Sequence, residues 1–411
     1  MSIPLLNILG EMKMQYYKSA ENYLDYLCNA ISNRHPGSVG NQQATAWAAE
    51  ILGKFNWQVT SQPFPCIDWR NGDSFLKTPE SSFRVKTGPY SLPFAGKGEL
   101  IQISKLKELE EAQLDGKILL LTGEIAAGQL FPKNFPFYNP DEHKKIYQIL
   151  DEKKPLVIIA ATGKNPEVAG SLYPFPMFED GDFDIPNVYL KDTEGQKLKK
   201  FAEQKIEVVI DSERIPSEGE NIIASKGNSR KKIVLTAHID TKKNTPGALD
   251  NASGIVTLLL AAEMLKDYDS DRQIEIALLN GEDYYQASGE LQYIADLQGK
   301  WDEIDLCINI DAAGNVGHKI AISEYSCSDR IKARINKMVK QKPDLILGDP
   351  WYMGDHMIFV QQNVPSLAIC SENMLDLCRD ITHTPADDVS LVDSKLLVET
   401  AEFMVDFVNT M

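Results

Sequence analysis

Nowhere in the 411 residues is there an uninterrupted apolar run of about 18 residues, the length a membrane-crossing helix needs. A spanning protein is therefore not expected. Basic residues are in the minority, 42 Lys and Arg against 59 Asp and Glu, so the net charge is -17. Nucleic acid is bound by clustered cations that release counterions from phosphates, and a net charge of this sign argues against such a surface. The six cysteines are scattered, without a CxxC pair, and read as free thiols rather than as a disulfide frame. Cys370 and Cys378 are the one pair close enough in sequence to bridge across a short loop. The N-terminus "MSIPLLNILGEMKMQYYKSAENYLDYL" lacks both a basic n-region and a full apolar h-region, which argues against a secretory signal. The expectation is a cytoplasmic protein with no membrane and no nucleic-acid partner, and self-association is left open.

What remains is ordinary globular material, 43% hydrophobic, long enough for two or three domains. Helical spacing runs from Tyr16 to about Ile31, and "RHPGSVG" breaks it. A second helix follows in "NQQATAWAAEILGKF" with Asn41 as its cap, then a strand in "NWQVTSQPF". Between 66 and 217 the texture changes. Prolines and aromatics cluster ("FPKNFPFYNP", "LYPFPMF") around short apolar runs such as "KILLLTG" and "PLVIIAAT", which predicts a compact, β-rich inserted domain. From 218 onwards apolar strands alternate with helices: "IVLTAHID", "GIVTLLLAAEMLK", "QIEIALLNGED", a helix near Leu291, "IDLCINIDAAG", a helix over 328–340, "PSLAICSEN" and a last helix from Asp393. That alternation predicts an α/β fold: a mostly parallel mixed sheet sandwiched by helices, formed by 1–65 and 218–411 together.

In open α/β sheets ligands bind beyond the carboxyl ends of the strands. Here one strand ends at His238 and Asp240, the next at Glu282 and Asp283, and the third at Asp311. Asp250 stands in "GALDNASG", the loop that starts the following helix. Gathered at one crevice, five or more acids and one imidazole repel one another unless cations neutralise them, and one shared proton is too little. A pair of divalent cations resolves the conflict, with Asp250 placed to bridge them. Mixed nitrogen and oxygen donors favour zinc over magnesium, with manganese and cobalt left open. Among the remaining histidines, His35, His143, His318, His356 and His383, the last is the best second imidazole, because "DITHTPADD" is a polar loop following the strand "PSLAIC". Taken singly, an HxD pair or an adjacent Glu-Asp is ordinary surface chemistry. Their joint placement after successive strands is not. Ser253 is a poor nucleophile, since GxSxG is absent and no His-Asp pair is left to activate it, and Asn251 and Ser253 suit the capping of the helix near Gly254.

The pieces "TAHIDT", "GALDNASG", "NGED", "NIDAAG" and "THTPADD", in that order, resemble the M28 family of zinc peptidases, as do "RHPGSVGNQQATAWAAEILGKFNWQV" and "GDHMIFVQQNVPSLAI". The resemblance implies two zinc ions per chain, one held by His238 and Asp311, the other by Asp283 and His383, with Asp250 bridging. It implies Glu282 as general base, Asp240 as the acid that orients a ligand imidazole, and Tyr352 as a donor to the reaction's oxyanion. It implies hydrolysis of N-terminal residues from peptide substrates. Residues 66–217 look like the protease-associated domain that many members carry, through "LDGKILLLTG" and "IPNVYLKDTEGQKL". Two departures bear on substrate choice: "YYQASGE" replaces a Gly-rich turn after the acidic pair, and Gly354 replaces the usual Ser before Asp-His. Glutaminyl cyclase action, carboxypeptidase action and a non-catalytic, receptor-like role are the alternatives. An intact "DNASG", dispersed arginines and filled ligand positions speak against each in turn.

Overall fold

The computed structural model describes residues 3–31 and 33–411, with side chains from residue 11 onwards. The chain divides into two compact units. One comprises residues 1–66, 218–284 and 288–411, the other residues 67–217 and 285–287.

In the first unit the strands are β1 (Gln58–Asn71), β2 (Ser212–Lys226), β3 (Lys232–His238), β4 (Gln273–Leu279), β5 (Ile304–Ile310), β6 (Ile320–Tyr325), β7 (Leu345–Leu347) and β8 (Ser366–Ser371). They form one sheet in the order β1-β2-β4-β3-β5-β8-β6-β7. The four central strands, β4, β3, β5 and β8, run parallel, while β2 pairs with β4 and β6 with β8 antiparallel. This is the mostly parallel mixed sheet that the alternation predicts. The helices are α1 (Ile3–Asp25), α2 (Val39–Lys54), α3 (Ser253–Met264), α4 (Ser288–Leu297), α5 (Asp329–Val339), α6 (His356–Val360), α7 (Met374–Asp380) and α8 (Ser394–Thr410). Among the described residues no helix is long and apolar enough to cross a membrane.

Periodicity explains which face goes where. Along β5, Leu306, Ile308 and Ile310 alternate into one core shared with Ile233 and Leu235 of β3. Helix α3, "SGIVTLLLAAEM", is buried on every side up to Ala262. A helix apolar all round belongs in a protein interior, and α3 accordingly lies between β3 and the helices α1, α2 and α8. One capping assignment is corrected. Ser38, not Asn41, caps α2, its Oγ accepting from the Asn41 main-chain N–H at 3.0 Å. Asn41 is fully buried, and its side chain pairs with that of Asn280 through two 2.9 Å bonds. A tertiary partner outbid the local one.

The second unit is also built on an eight-stranded sheet, but it is not simply β-rich. Strands 94–103, 117–121, 157–162 and 187–191 run parallel, with helices Leu106–Glu111 and Asp141–Lys153 between them, Asp192–Leu198 after the last, and an apolar cluster on each face. Residues 285–287 join this unit, where the Gln286 amide donates to both carboxylate oxygens of Asp182 at 2.9 and 3.0 Å. Cys370 and Cys378 are not bridged to each other.

Candidate metal centre

Because β4, β3, β5 and β8 are parallel neighbours, their carboxyl ends open on one edge of the first unit. His238 closes β3, Asp311 follows β5 directly, and Glu282 and Asp283 follow β4 after Asn280 and Gly281. Asp250 comes from the loop ahead of α3, and His383 from the loop after α7.

The structure brings these side chains together. His238 Nε2 lies 3.2 Å from Asp250 Oδ1 and 3.6 Å from Asp311 Oδ1. His383 Nε2 lies 3.3 Å from Asp250 Oδ2 and 2.9 Å from Asp283 Oδ1. The two oxygens of Asp250 thus face different imidazoles, and each imidazole has a carboxylate of its own. His238, Asp250 and Asp311 form one group with ligand atoms mutually within 4.8 Å, Asp250, Asp283 and His383 a second, and His238, Glu282 and Asp283 a third. His238 Nε2 and Asp283 Oδ2 are buried without a hydrogen-bond partner. A polar atom left so is costly unless something binds it. Two nitrogen donors, four carboxylates and orphaned atoms aimed inward fit a divalent cation pair.

Electrostatics tell the same story. Burial pulls both imidazoles down, yet the carboxylates of Asp240, Asp250 and Asp311 hold His238 well above its ordinary value, and those of Asp283 and Asp250 do the same for His383. Burial raises the Glu282 carboxyl, and although His238 opposes this, the charges of Asp283, Asp311 and Asp355 keep it well above the usual range. A carboxyl raised towards neutrality is suited to taking and returning a proton.

The other residues singled out in the sequence have plainer positions. Asp240 is fully buried, and its carboxylate accepts from the Gly281 N–H at 2.6 Å and the Asp283 N–H at 3.1 Å, gripping the loop that carries Glu282. Its Oδ1 is 3.7 Å from His238 Nδ1, whose nearer contact is the Asp240 main-chain oxygen at 3.2 Å. Tyr352 is 70% exposed, with its ring edge-on to Tyr325. Its neighbour Gly354 touches the centre: φ is +89°, and a Cβ there would lie 3.1 Å from Asp311 Oδ2. A serine on this backbone would be strained by both. Asn251 ties the Asp250 loop to β5, donating to the Ile310 carbonyl at 2.8 Å, and its side-chain oxygen accepts from the Gly254 N–H in the first turn of α3 at 2.9 Å, although the N-cap position itself is Ala252. Ser253 is no cap; its hydroxyl donates back to the Leu249 carbonyl at 2.8 Å.

Three acids escaped sequence reasoning. Asp387, fully buried, accepts from the Leu249 N–H at 2.7 Å and the Asp250 N–H at 3.0 Å. Glu290 and Asp355 are buried with carboxylate oxygens lacking partners, and burial pushes Glu290 up to about 8 and Asp355 well above its usual range. All three stand inside quoted pieces, Asp387 in "THTPADD", Glu290 at the end of "YYQASGE" and Asp355 in "GDHMIF", but none carries a local sign of what it contacts.

An open α/β sheet whose strand ends converge on histidines and carboxylates presents the donor set of a metal site at a sheet edge. Residues 221–408 match the profile described as Peptidase family M28. A probable leucine aminopeptidase 2 of Aspergillus oryzae is 24% identical over 301 residues, covering 71% of this chain and 57% of that protein. Aminopeptidase YwaD of Bacillus subtilis is 27% identical over 174 residues, 38% of this chain and 37% of its own length. The chain thus spans less than two thirds of either relative. Among solved structures, a zinc aminopeptidase from Bacillus subtilis superposes with a TM-score of 0.74 at 19% identity, covering 96% of this chain and 94% of that one. An aminopeptidase from Aneurinibacillus gives 0.73 at 17%, with 96% and 93% covered. These establish the fold.

Proposed function

We propose that the protein is a dinuclear zinc aminopeptidase that removes N-terminal residues from peptides. The observation that carries this reading is Asp250, whose two oxygens face His238 and His383 separately, each within 3.3 Å. His238 and Asp311 would hold one zinc and Asp283 and His383 the other, with Asp250 shared. Bound zinc supplies Lewis acidity and lowers the pKa of water. Glu282 takes a proton from the attacking water and delivers it to the leaving amine nitrogen. Asp240 fixes Glu282 by holding the amides on either side of it. A pocket this rich in carboxylates suits a substrate that presents an α-ammonium group, and the aminopeptidase relatives support that choice. Tyr352 serves as donor to the oxyanion in this reading. The second unit we read as a protease-associated-type module, on the strength of "LDGKILLLTG" and "IPNVYLKDTEGQKL".

The test uses aminoacyl-nitroanilides and the same compounds with a blocked amine. Cleavage should require the free amine and disappear with a chelator. Glu282→Gln should lower kcat by about 10²–10⁴-fold with metal content unchanged. Equal cleavage of blocked substrates would remove the exopeptidase assignment, and a fully active Glu282→Gln variant would remove the assigned base.

A further inference from the structure

Arg34 lies outside the segment that matches the family profile, in the stretch "NRHPGS" between α1 and α2. It is 2% exposed. Its guanidinium donates to four main-chain carbonyls: Nε to Ile239 at 3.2 Å, Nη1 to Leu27 and Pro246 at 2.7 Å each, and Nη2 to Gly247 at 2.8 Å. Ile239 is the residue between His238 and Asp240. Pro246 and Gly247 open the loop that delivers Asp250. One planar cation therefore joins the end of β3 to the start of that loop. The closeness is built in: Gly247 has φ +60°, and a Cβ on it would lie 3.0 Å from Arg34 Nη2 and 2.2 Å from Thr241 Cγ2.

The loop is gripped from its other polar side as well. Asp387 accepts from the Leu249 and Asp250 amides, and its own carbonyl accepts from the Ala248 N–H at 3.2 Å. Asp387 is four residues beyond His383, so this grip also ties the loop of the second imidazole to Asp250. Carbonyls 246 and 247 go to a cation, and amides 248 to 250 go to a carboxylate residue. Burying a guanidinium in a fold is costly, and an apolar side chain of similar volume would fill the same space more cheaply. What only the rigid five-donor fork provides is several carbonyls fixed at once.

We propose that Arg34, with Asp387 opposite it, is a positioning residue of the metal centre: it sets the spacing between His238 and Asp250 and thereby the affinity for metal. This rests on the zinc reading above. It assigns the N-terminal segment a part in the site that touches neither metal nor substrate. Partners that orient ligands in this indirect way typically contribute a factor of about 10–100 to metal affinity.

The experiment strips the full-length protein with a chelator and titrates it with zinc against a chromophoric competitor, following the fold by circular dichroism. Wild type, Arg34→Met, Arg34→Lys and Asp387→Asn are compared. The expected result is zinc binding weakened by about 10–100-fold in Arg34→Met, with part of the loss recovered in Arg34→Lys, because an ammonium reaches at most three of the four carbonyls. Asp387→Asn, which keeps one acceptor oxygen, should also bind zinc more weakly than wild type. Folded variants that take up zinc with wild-type affinity would overturn the proposal, as would loss of the fold in all three, which would reduce Arg34 to a stability role. Wild-type protein that takes up no zinc would instead sink the zinc reading itself.

Discussion

Asp250 carries more structural demands than any other side chain at the centre. Its carboxylate faces two imidazoles, its amide is held by Asp387, and the next residue anchors the loop to the end of β5. Gly354 shows the same economy from outside the ligand set. Alanine there must adopt a φ of +89° and crowd Asp311 and Trp351. Gly354→Ala should therefore lower stability by about 1–3 kcal/mol in urea denaturation, and no change would mean the loop relaxes freely. At this scale the sequence was legible where chemistry sits at strand ends. His238, Asp250, Asp283, Asp311 and His383 could be collected because each follows or opens a regular element. Arg34, Asp387 and Asn41 could not, since their partners are main-chain groups or side chains far along the chain. Only the fold decides those meetings. Asn41 shows the failure directly: a local capping rule assigned it to its helix, and Asn280 claimed it.

Elements put the centre in place through the central parallel strands and through α3. The sheet class was legible because β3, β4, β5 and β8 are short, almost wholly apolar runs separated by helical periods. The helices of the second unit were missed because proline-rich and aromatic loops around them masked their shorter periods. Helix α3 begins two residues after Asn251, so its packing fixes the loop that carries Asp250. Leu258 on α3 is fully buried. Leu258→Ala should cost about 2–5 kcal/mol in unfolding free energy, and a cost under about 1 kcal/mol would show that the α3 core is looser than described.

At the scale of the molecule, the chain carries an excess of 17 negative charges, and the candidate centre gathers carboxylates as well. Its thiols are not part of that chemistry. Burial pushes Cys28 and Cys327 up to about 11 and Cys370 and Cys378 up to about 12, and the thiolate is the reactive form. Iodoacetamide at neutral pH should leave the native protein unalkylated over the period in which it modifies the unfolded chain, and rapid alkylation of the native state would contradict this burial.

The central claim is that two cations share Asp250. Native mass spectrometry of the intact chain after equilibration with zinc counts them directly. Wild type should carry two zinc ions, and Asp250→Ala, folded but without the shared carboxylate, should carry fewer. An Asp250→Ala protein that still held two would contradict the account.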